Sequence, residues 1–357
     1  MFVPVGERGM NMKSGFDPRV TPWAIDESNF PAAGSFDEKA RFLIGYSILA
    51  PSGHNTQPWK YRIGSSSIDF LADHDSRLPV ADPEDRELAI SVGAAVMNLR
   101  VAAARFGLGC NVRYLQDPDD ESILARAVLN GDPAKGQQLA GLFPSITSRR
   151  TNRFPFESRE LDNASRSELQ NIGTGKGAAF ELITGTPARN AIADLVEKGD
   201  QLRMADRAFR VELARWIWTP GSGRSDGIAA DGLGIPAFLS GLAPWMIRTF
   251  NSGRSSGRKD ARLVRDAAAM VVFHSSEDRA GWLETGELME RFILTLAAGN
   301  MQYSFFSLAV ELPDTRAELK SVTGIDNEPQ VLIRIGYGPP PPSRPMPRRP
   351  LEQVIIS

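Results

Sequence analysis

The chain reads as an α+β fold, with central, mostly antiparallel sheets and helices packed around them. Three observations carry this. Residues 59–63 and 68–71 alternate apolar and polar side chains around a Gly-Ser turn, the signature of a β-hairpin. Two long stretches, around 88–106 and 288–296, place apolar residues three and four apart, as amphipathic helices do. Short apolar runs at 267–273 and 331–337 then read as buried strands lying between helical patterns.

Taken in order, residues 1–34 are polar and rich in glycine and proline, and predict an extended arm anchored by Trp23 and Phe30. Ser35-Phe36-Asp37-Glu38 is a capping box, and Ala40, Leu43, Ile44 and Ile48 mark one face of the helix it opens, which Pro51 stops. A second helix is expected to start with Asp82 as N-cap and Pro83 in the first turn, and to end at Gly107-Leu108-Gly109 before a strand at 111–115. Residues 117–141 read as a polar linker. Beyond it come a short helix at 164–172, a strand at 178–184, a long or broken helix at 188–218, the strand at 267–273, the helix around 288–296, and strands at 305–310 and 331–337. The prolines of 339–350 allow only an extended arm, which leads into 351–356.

Composition narrows the function. With 357 residues, 42% hydrophobic and 24% charged, the chain can bury a substantial core as one large domain or two. A net charge of -2 and a pI near 6.0 give no general positive field, so neither nucleic acid nor a membrane surface is an expected partner. No signal peptide is visible in residues 1–15, and no run of about 18 uncharged apolar residues occurs. The single cysteine, Cys110, excludes an internal disulfide and a multi-cysteine metal site, which favours a cytoplasmic setting; it reads as a small core filler. The three histidines, His54, His74 and His274, lack metal-ligand spacing, so no metal is expected. Gly173-Thr174-Gly175-Lys176-Gly177 is not a P-loop, and the glycines of 221–227 are not a dinucleotide fingerprint.

The stretch with the most chemistry is Pro51-Ser52-Gly53-His54-Asn55-Thr56-Gln57-Pro58-Trp59. It must turn tightly while presenting two carboxamides, whose paired donors and acceptors suit the polar edge of a heteroaromatic ring such as a flavin. The alternative is that Asn55 and Gln57 close a turn on their own backbone. A second cluster, Arg149-Arg150-Thr151-Asn152-Arg153, and a third, Arg348-Arg349, offer planar guanidinium forks. Residues 219–260 interleave glycines, among them Gly221, Gly232, Gly234, Gly253 and Gly257, with Ile235, Phe238, Trp245 and Phe250; this reads as a hinged lid or as a loop filling a core gap.

Pro51, Ser52, Asn55, Gln57, Pro58 and Trp59 resemble the P-S-x-x-N-x-Q-P-W segment of the FMN-dependent nitroreductase family, and 149–154 its R-R-S-x-R-x-F entry, with Thr151 in place of serine. The run Arg77-Leu78-Pro79-Val80-Ala81-Asp82-Pro83, followed by Arg86-Glu87-Leu88, is similar to the longer, Acg-type branch. The resemblance implies a nitroreductase-like fold and bound FMN, with Arg149, Arg150, Arg153, Arg348 and Arg349 on phosphate and ribityl oxygens, Thr151 on the ribityl chain, Pro51, Ser52 and Gly53 against the ring, and Asn55 or Gln57 at its edge. It implies no catalytic side chain, His54 included, because the cofactor carries the reaction.

Family members are homodimers with flavin between subunits, one supplying the arginines and the other the P-S-x-x-N loop. Here each determinant occurs once, which predicts two nitroreductase-like halves fused as a pseudo-dimer with one site: 1–34 an arm, 35–146 the first half, 147–340 the second with its lid at 219–260, and 341–357 a C-terminal arm. The implied function is NADH- or NADPH-dependent reduction of a small electron-poor acceptor, a nitroaromatic or quinone, by ping-pong hydride transfer through the flavin. The pseudo-dimer would act as a monomer or pair with a second copy. A flavin-sequestering or sensing protein, and a flavin-dependent dehydrogenase of a biosynthetic intermediate, remain as alternatives.

Overall fold

The computed structural model describes residues 21–114, 120, 122–134, 136–175, 177–219, 222–230, 235, 237–341 and 345–356. The expectations for residues 1–20 and for Leu115, Asp117, Lys176, Gly221, Gly232, Gly234, Pro342, Ser343 and Arg344 lie outside these. In chain order the first part contains α1 (Phe36–Ser47), β1 (Trp59–Ile63), β2 (Ser67–Ala72), α2 (Arg86–Arg105), β3 (Gly109–Tyr114), β4 (Ile123–Gly131) and α3 (Phe143–Ser148). Next come α4 (Asn163–Gln170), β5 (Ala178–Ile183), α5 (Thr186–Ala205), α6 (Arg207–Trp216), β6 (Ile217–Trp218), β7 (Ile228–Ala229), α7 (Ala243–Thr249), α8 (Gly253–Arg265) and β8 (Ala269–Ser275). The chain closes with α9 (Arg279–Ala298), β9 (Gln302–Phe305), α10 (Leu308–Glu311), α11 (Pro313–Thr323), β10 (Glu328–Gly336), α12 (Leu351–Val354) and β11 (Ile355–Ile356).

The fold is α+β, as the pattern predicts. One sheet has the order β11-β1-β2-β4-β3 and the other β5-β8-β10-β9, all neighbours antiparallel except β11, which lies parallel to β1. β11 ends the chain yet completes a sheet built from its first third, so the arm that carries Arg348 is fastened across the molecule. Between the sheets α2 crosses α9 with backbone nearly touching backbone. A Cβ on Gly93 would lie 2.1 Å from the Leu283 carbonyl oxygen, and one on Gly286 2.0 Å from that of Ile90, so no larger residue fits at either position. Among the described residues α2 is long and apolar enough by composition to span a bilayer, but 89% of that window is buried inside the protein.

The local signals hold where they are local. Glu38 N–H donates to Ser35 Oγ and Ser35 N–H to the Glu38 carboxylate, at 3.3 and 2.7 Å, completing the capping box. The helix expected at 188–218 breaks at Asp206, whose carboxylate accepts the Ala208 N–H and starts α6. Other expectations are corrected. The stretch 117–141 is not only linker: it holds β4, whose Leu124, Ala125 and Ala127 are buried while Arg126 pairs with Asp69 on the other face. α2 starts at Arg86, after Asp85 adopts a left-handed φ of 57°, although the Asp82 carboxylate still accepts the Leu88 N–H at 2.9 Å. The strand expected at 305–310 stops at Phe305, and Leu308–Glu311 is helical. Much of 219–260 is ordered helix rather than glycine hinge, with Gly253 and Gly257 packed against α5.

Candidate functional site

The loop after α1 holds three non-glycine residues in left-handed conformation, His54 (φ 46°), Asn55 (φ 55°) and Gln57 (φ 53°). Such backbone is costly unless its surroundings enforce it. Here the Ser52 hydroxyl accepts the Gln57 N–H at 2.9 Å, and the Gln57 amide donates within the turn to the Asn55 carbonyl at 3.4 Å while both carboxamides also reach outward. Asn55 Nδ2 donates to the Gly227 and Pro347 carbonyls at 2.9 and 3.2 Å, and its Oδ1 accepts from Arg348 at 2.7 Å. Gln57 donates to the Ser225 carbonyl at 2.8 Å and accepts the Arg349 N–H at 2.8 Å. One loop thus joins two stretches far from it in sequence, 225–227 and 347–349.

The arginines converge on the same place. Arg149 donates to the Leu49 carbonyl at 2.8 Å and to the Tyr303 hydroxyl, and faces Glu290 at 3.6 Å. Arg348 donates to the Leu49 and Ala50 carbonyls at 3.1 and 3.0 Å, so the backbone just past α1 is held by two guanidiniums. Arg150, Arg348 and Arg149 lie 4.3, 4.8 and 5.8 Å from the centre of the Trp23 ring, whose Nε1 donates to the Met346 carbonyl at 2.8 Å. Arg153 makes neither a hydrogen bond nor an ion pair among the described residues.

These groups enclose a small polar chamber of about 90 Å³, lined by Pro51, Ser52, Asn55, Arg149, Arg150, Thr151, Arg153 and Arg348 together with Trp23 and His54. It adjoins an apolar chamber of about 470 Å³ that shares Pro51, Ser52, His54 and Arg153 with it and adds Gly53. Two residues assigned to the site from sequence do not line either chamber. Gln57 is fully buried with both ends of its amide taken, and the Arg349 guanidinium is committed to Asp73 at 2.7 Å and the Gln57 carbonyl at 3.1 Å. Both lock the loop and the C-terminal arm together.

Burial and mutual repulsion shape the charges. Burial, reinforced by Arg149 and Arg150, holds Arg348 well below the usual guanidinium range, and burial with Arg149 beside it brings Arg150 down to about 10. Burial works against the Arg149 charge, but Tyr303 and Glu290 outweigh it and raise the group. Burial lowers Arg153 as well. His54 is brought down to about 4 by burial, then by Arg153 and Arg203, so its ring is neutral at ordinary pH and its Nδ1 has no partner. A cluster of cations held largely by neutral carbonyls, an amide and a phenol keeps most of its positive charge, and so attracts an anion.

Sequence reading did not single out Glu290, Tyr303 or the chamber acids Asp200, Asp260 and Glu311, and named Glu87 only within the Arg86-Glu87-Leu88 run. Glu290 is completely buried; with the Asn98 amide turned to satisfy both ends, Asn98 donates to it at 2.9 Å and accepts the Ala50 N–H at 3.1 Å. Its trace in the sequence is an acid inside the apolar run of α9, between Met289 and Phe292. Glu87 lies against Gly53, whose added Cβ would sit 2.9 Å from the carboxylate, and burial, then Asp82, pushes its carboxyl up to about 7.

No protein-family model matches the chain. It is 28% identical over 341 residues to Putative NAD(P)H nitroreductase Rv3131 of Mycobacterium tuberculosis strain ATCC 25618 / H37Rv, covering 93% of this chain and 94% of that protein. It is also 28% identical over 320 residues to Putative NAD(P)H nitroreductase acg of the same strain, covering 87% and 93%. Among solved structures, the FMN-dependent nitroreductase NfnB from Mycobacterium smegmatis in complex with NADPH aligns over 60% of this chain and 96% of its own, at 16% identity and a TM-score of 0.39. The resemblance seen in the motifs therefore extends, in homologues of similar length, over most of the chain.

Proposed function

We infer that this homologue of the Acg-type nitroreductases is an FMN-dependent oxidoreductase that takes electrons from NADH or NADPH and passes them to a small electron-poor acceptor, a nitroaromatic or a quinone. The observation that carries the reading is the cationic chamber opening into a larger apolar one, both walled by the Pro51–His54 loop. The donor set fits FMN: the Arg153 guanidinium, which makes no hydrogen bond or ion pair among the described residues, and the Arg348 Nε, which has no hydrogen-bond partner among them, suit a dianionic phosphate. When bound, FMN supplies the two-electron chemistry.

The chain's residues do the rest. Arg149, Arg150, Arg153 and Arg348 would hold the phosphate and ribityl oxygens, with Thr151 beside them. The small chamber has room for a polar head but not for a tricyclic ring, so Pro51, Ser52 and Gly53 would border the ring on the side of the larger chamber. The Asn55 amide acts on the cofactor through Arg348, which it orients, and His54 contributes a neutral ring to the wall. Met204, Phe209, Ile228 and Phe305 keep water away from the acceptor.

The pseudo-dimer organisation belongs to the same reading. Its support is that α2 and α9 each lead into a strand of a different sheet, cross at paired glycines, and leave the loop in one half and the arginines in the other. The test is a visible spectrum. Purified protein, or protein soaked with FMN, is expected to be yellow, and NADPH or NADH under anaerobic conditions is expected to bleach it, with colour returning on addition of a quinone. Protein that takes up no flavin overturns the reading; flavin that binds but resists both nucleotides favours sequestration instead.

A further inference from the structure

α5 and α8 lie side by side along a seam of small residues. A Cβ on Gly253 would come within 2.9 Å of the Asp200 carbonyl oxygen, and one on Gly257 within 2.9 Å of that of Glu197. Asp260 follows Gly257 by three positions on the same face of α8, so the close approach sets its carboxyl opposite that of Asp200. The two carboxyls are near enough for each to act on the other's charge, and both line the 470 Å³ chamber. Asp200 is 3% exposed, and its Oδ2 has no hydrogen-bond partner among the described residues. Asp260 is half-buried. Neither makes an ion pair among the described residues, and no three acidic or histidine side chains there are placed to hold a metal ion.

Two facing carboxylates with no cation between them do not both ionise readily; one proton shared across the pair relieves the repulsion. The surroundings reinforce this. Burial, then Asp260, then Glu197 push the Asp200 carboxyl up, and burial pushes Asp260 up against the pull of Lys259, Arg334 and Arg153. Glu87 and Glu311 also line the chamber. Arg153, which borders both chambers, is close enough to Asp260 for the two charges to act on each other, so the pair stands toward the junction of the cleft.

We propose that Asp200 and Asp260 form a carboxylic acid–carboxylate pair that donates a proton to the oxygen of a quinone reduced in the larger chamber, so that the site takes neutral carbonyl acceptors and turns away anionic ones. The inference rests on the flavin reading above, whose reduced cofactor is the two-electron donor. A quinone that accepts a hydride equivalent carries one negative oxygen. The Asp200 O–H bond breaks, its electron pair stays on the carboxylate, and an O–H bond forms on the acceptor to give the hydroquinone. Asp260, the more exposed member, passes a replacement proton in from water. The carboxylate member of the pair, set in a mostly apolar wall, accounts for the exclusion of anions.

The test uses the full chain loaded with FMN, with Asp200→Asn and Asp260→Asn, in rapid-mixing experiments that follow flavin reduction by NADPH and reoxidation by a neutral benzoquinone separately. The expected result is that the ratio of reoxidation to reduction rate falls at least tenfold in either variant. The wild-type loss of reoxidation rate as pH rises past about 8 should disappear with it. A second readout does not depend on turnover: of the protonated-carboxyl infrared absorption, which Glu87, Glu290 and Glu311 share, a component that titrates away near 8 should be present in wild type, with or without flavin, and missing from the difference spectrum of Asp200→Asn. A variant that reoxidises at the wild-type ratio overturns the inference, as does the absence of that component. Should Asp200→Asn fail to fold, Asp260→Asn carries the same reading. Protein that binds no FMN overturns the functional reading and the donor role with it, whereas normal flavin reduction with unaltered reoxidation overturns the donor role alone.

Discussion

The two ends of the cleft bury charge in opposite ways. At the small end, Arg149, Arg150 and Arg348 are set among carbonyls, the Asn55 amide, the Tyr303 hydroxyl and the Trp23 ring, with Glu290 beside Arg149, and burial with mutual repulsion still lowers Arg150 and Arg348. At the large end, Glu87, Asp200, Asp260 and Glu311 have few such partners, and burial raises all four. Cations held by neutral dipoles remain available to an anion, whereas acids packed against each other become stores of protons. One cleft therefore has an end suited to holding a phosphate and an end suited to supplying hydrogen ions.

The largest break in this contrast is expected from Arg348→Ala. It leaves the Ala50 carbonyl and the Asn55 Oδ1 without their donor and the Leu49 carbonyl with Arg149 alone, and should cost about 3 kcal/mol in urea unfolding while abolishing FMN uptake. Arg348→Lys keeps a charge without the fork and should fall between; FMN bound as tightly in the alanine variant as in wild type would remove the cationic end from the argument. Arg153→Ala is the sharper probe because that guanidinium makes no hydrogen bond or ion pair among the described residues. Stability should stay within about 0.5 kcal/mol of wild type, while FMN affinity, read from fluorescence quenching, should weaken at least tenfold.

The acid end makes a thermal prediction. Glu87 and Glu290 are raised to about 7 and Asp200 is raised too, so the folded state keeps protons that the unfolded chain releases at ordinary carboxyl pKa values, about 4. With more protons bound in the native state, stability falls as pH rises through the window from about 4 to about 8, and levels off above it. Melting curves across that range should show the decline, and Asp200→Asn should flatten part of it; a protein most stable near pH 8 would contradict the assignment. The smallest effect is expected from His54→Asn. The wild-type imidazole protonates near 6.5 in the unfolded chain but only at about 4 when folded, so it opposes the acids' decline between those values; the substitution, whose left-handed backbone asparagine tolerates, should steepen the melting-curve decline there and leave it unchanged above about 7.

What the sequence disclosed follows from how local each signal is. The α1 capping box and the tight turn at Pro51–Trp59 depend on neighbours a few residues away, and both were legible. The convergence of Asn55 with Arg149 and Arg348 was legible only through the family resemblance, since no spacing relates residues so far apart. Gln57 and Arg349 were assigned to the cofactor because their chemistry suits it, but tertiary packing spends their polar atoms on Ser225 and Asp73. β4 was hidden by its arginine and its polar flanks. α8 was hidden because Gly253 and Gly257 look like hinges until a second helix lies against them. Asp200 and Asp260 are ordinary surface-type residues in sequence, and only the glycine seam turns them into a pair.

The Asn55 side chain bonds to the Gly227 carbonyl, 172 positions along the chain, and to Arg348, 293 positions along. Contacts of such separation are late events in folding, since the intervening chain must be ordered first. If the chamber holds a flavin phosphate as proposed, a chain still being synthesised has no place for it until the segment bearing Arg348 has emerged, and cofactor capture then doubles as a check that this segment has docked on the Asn55 loop.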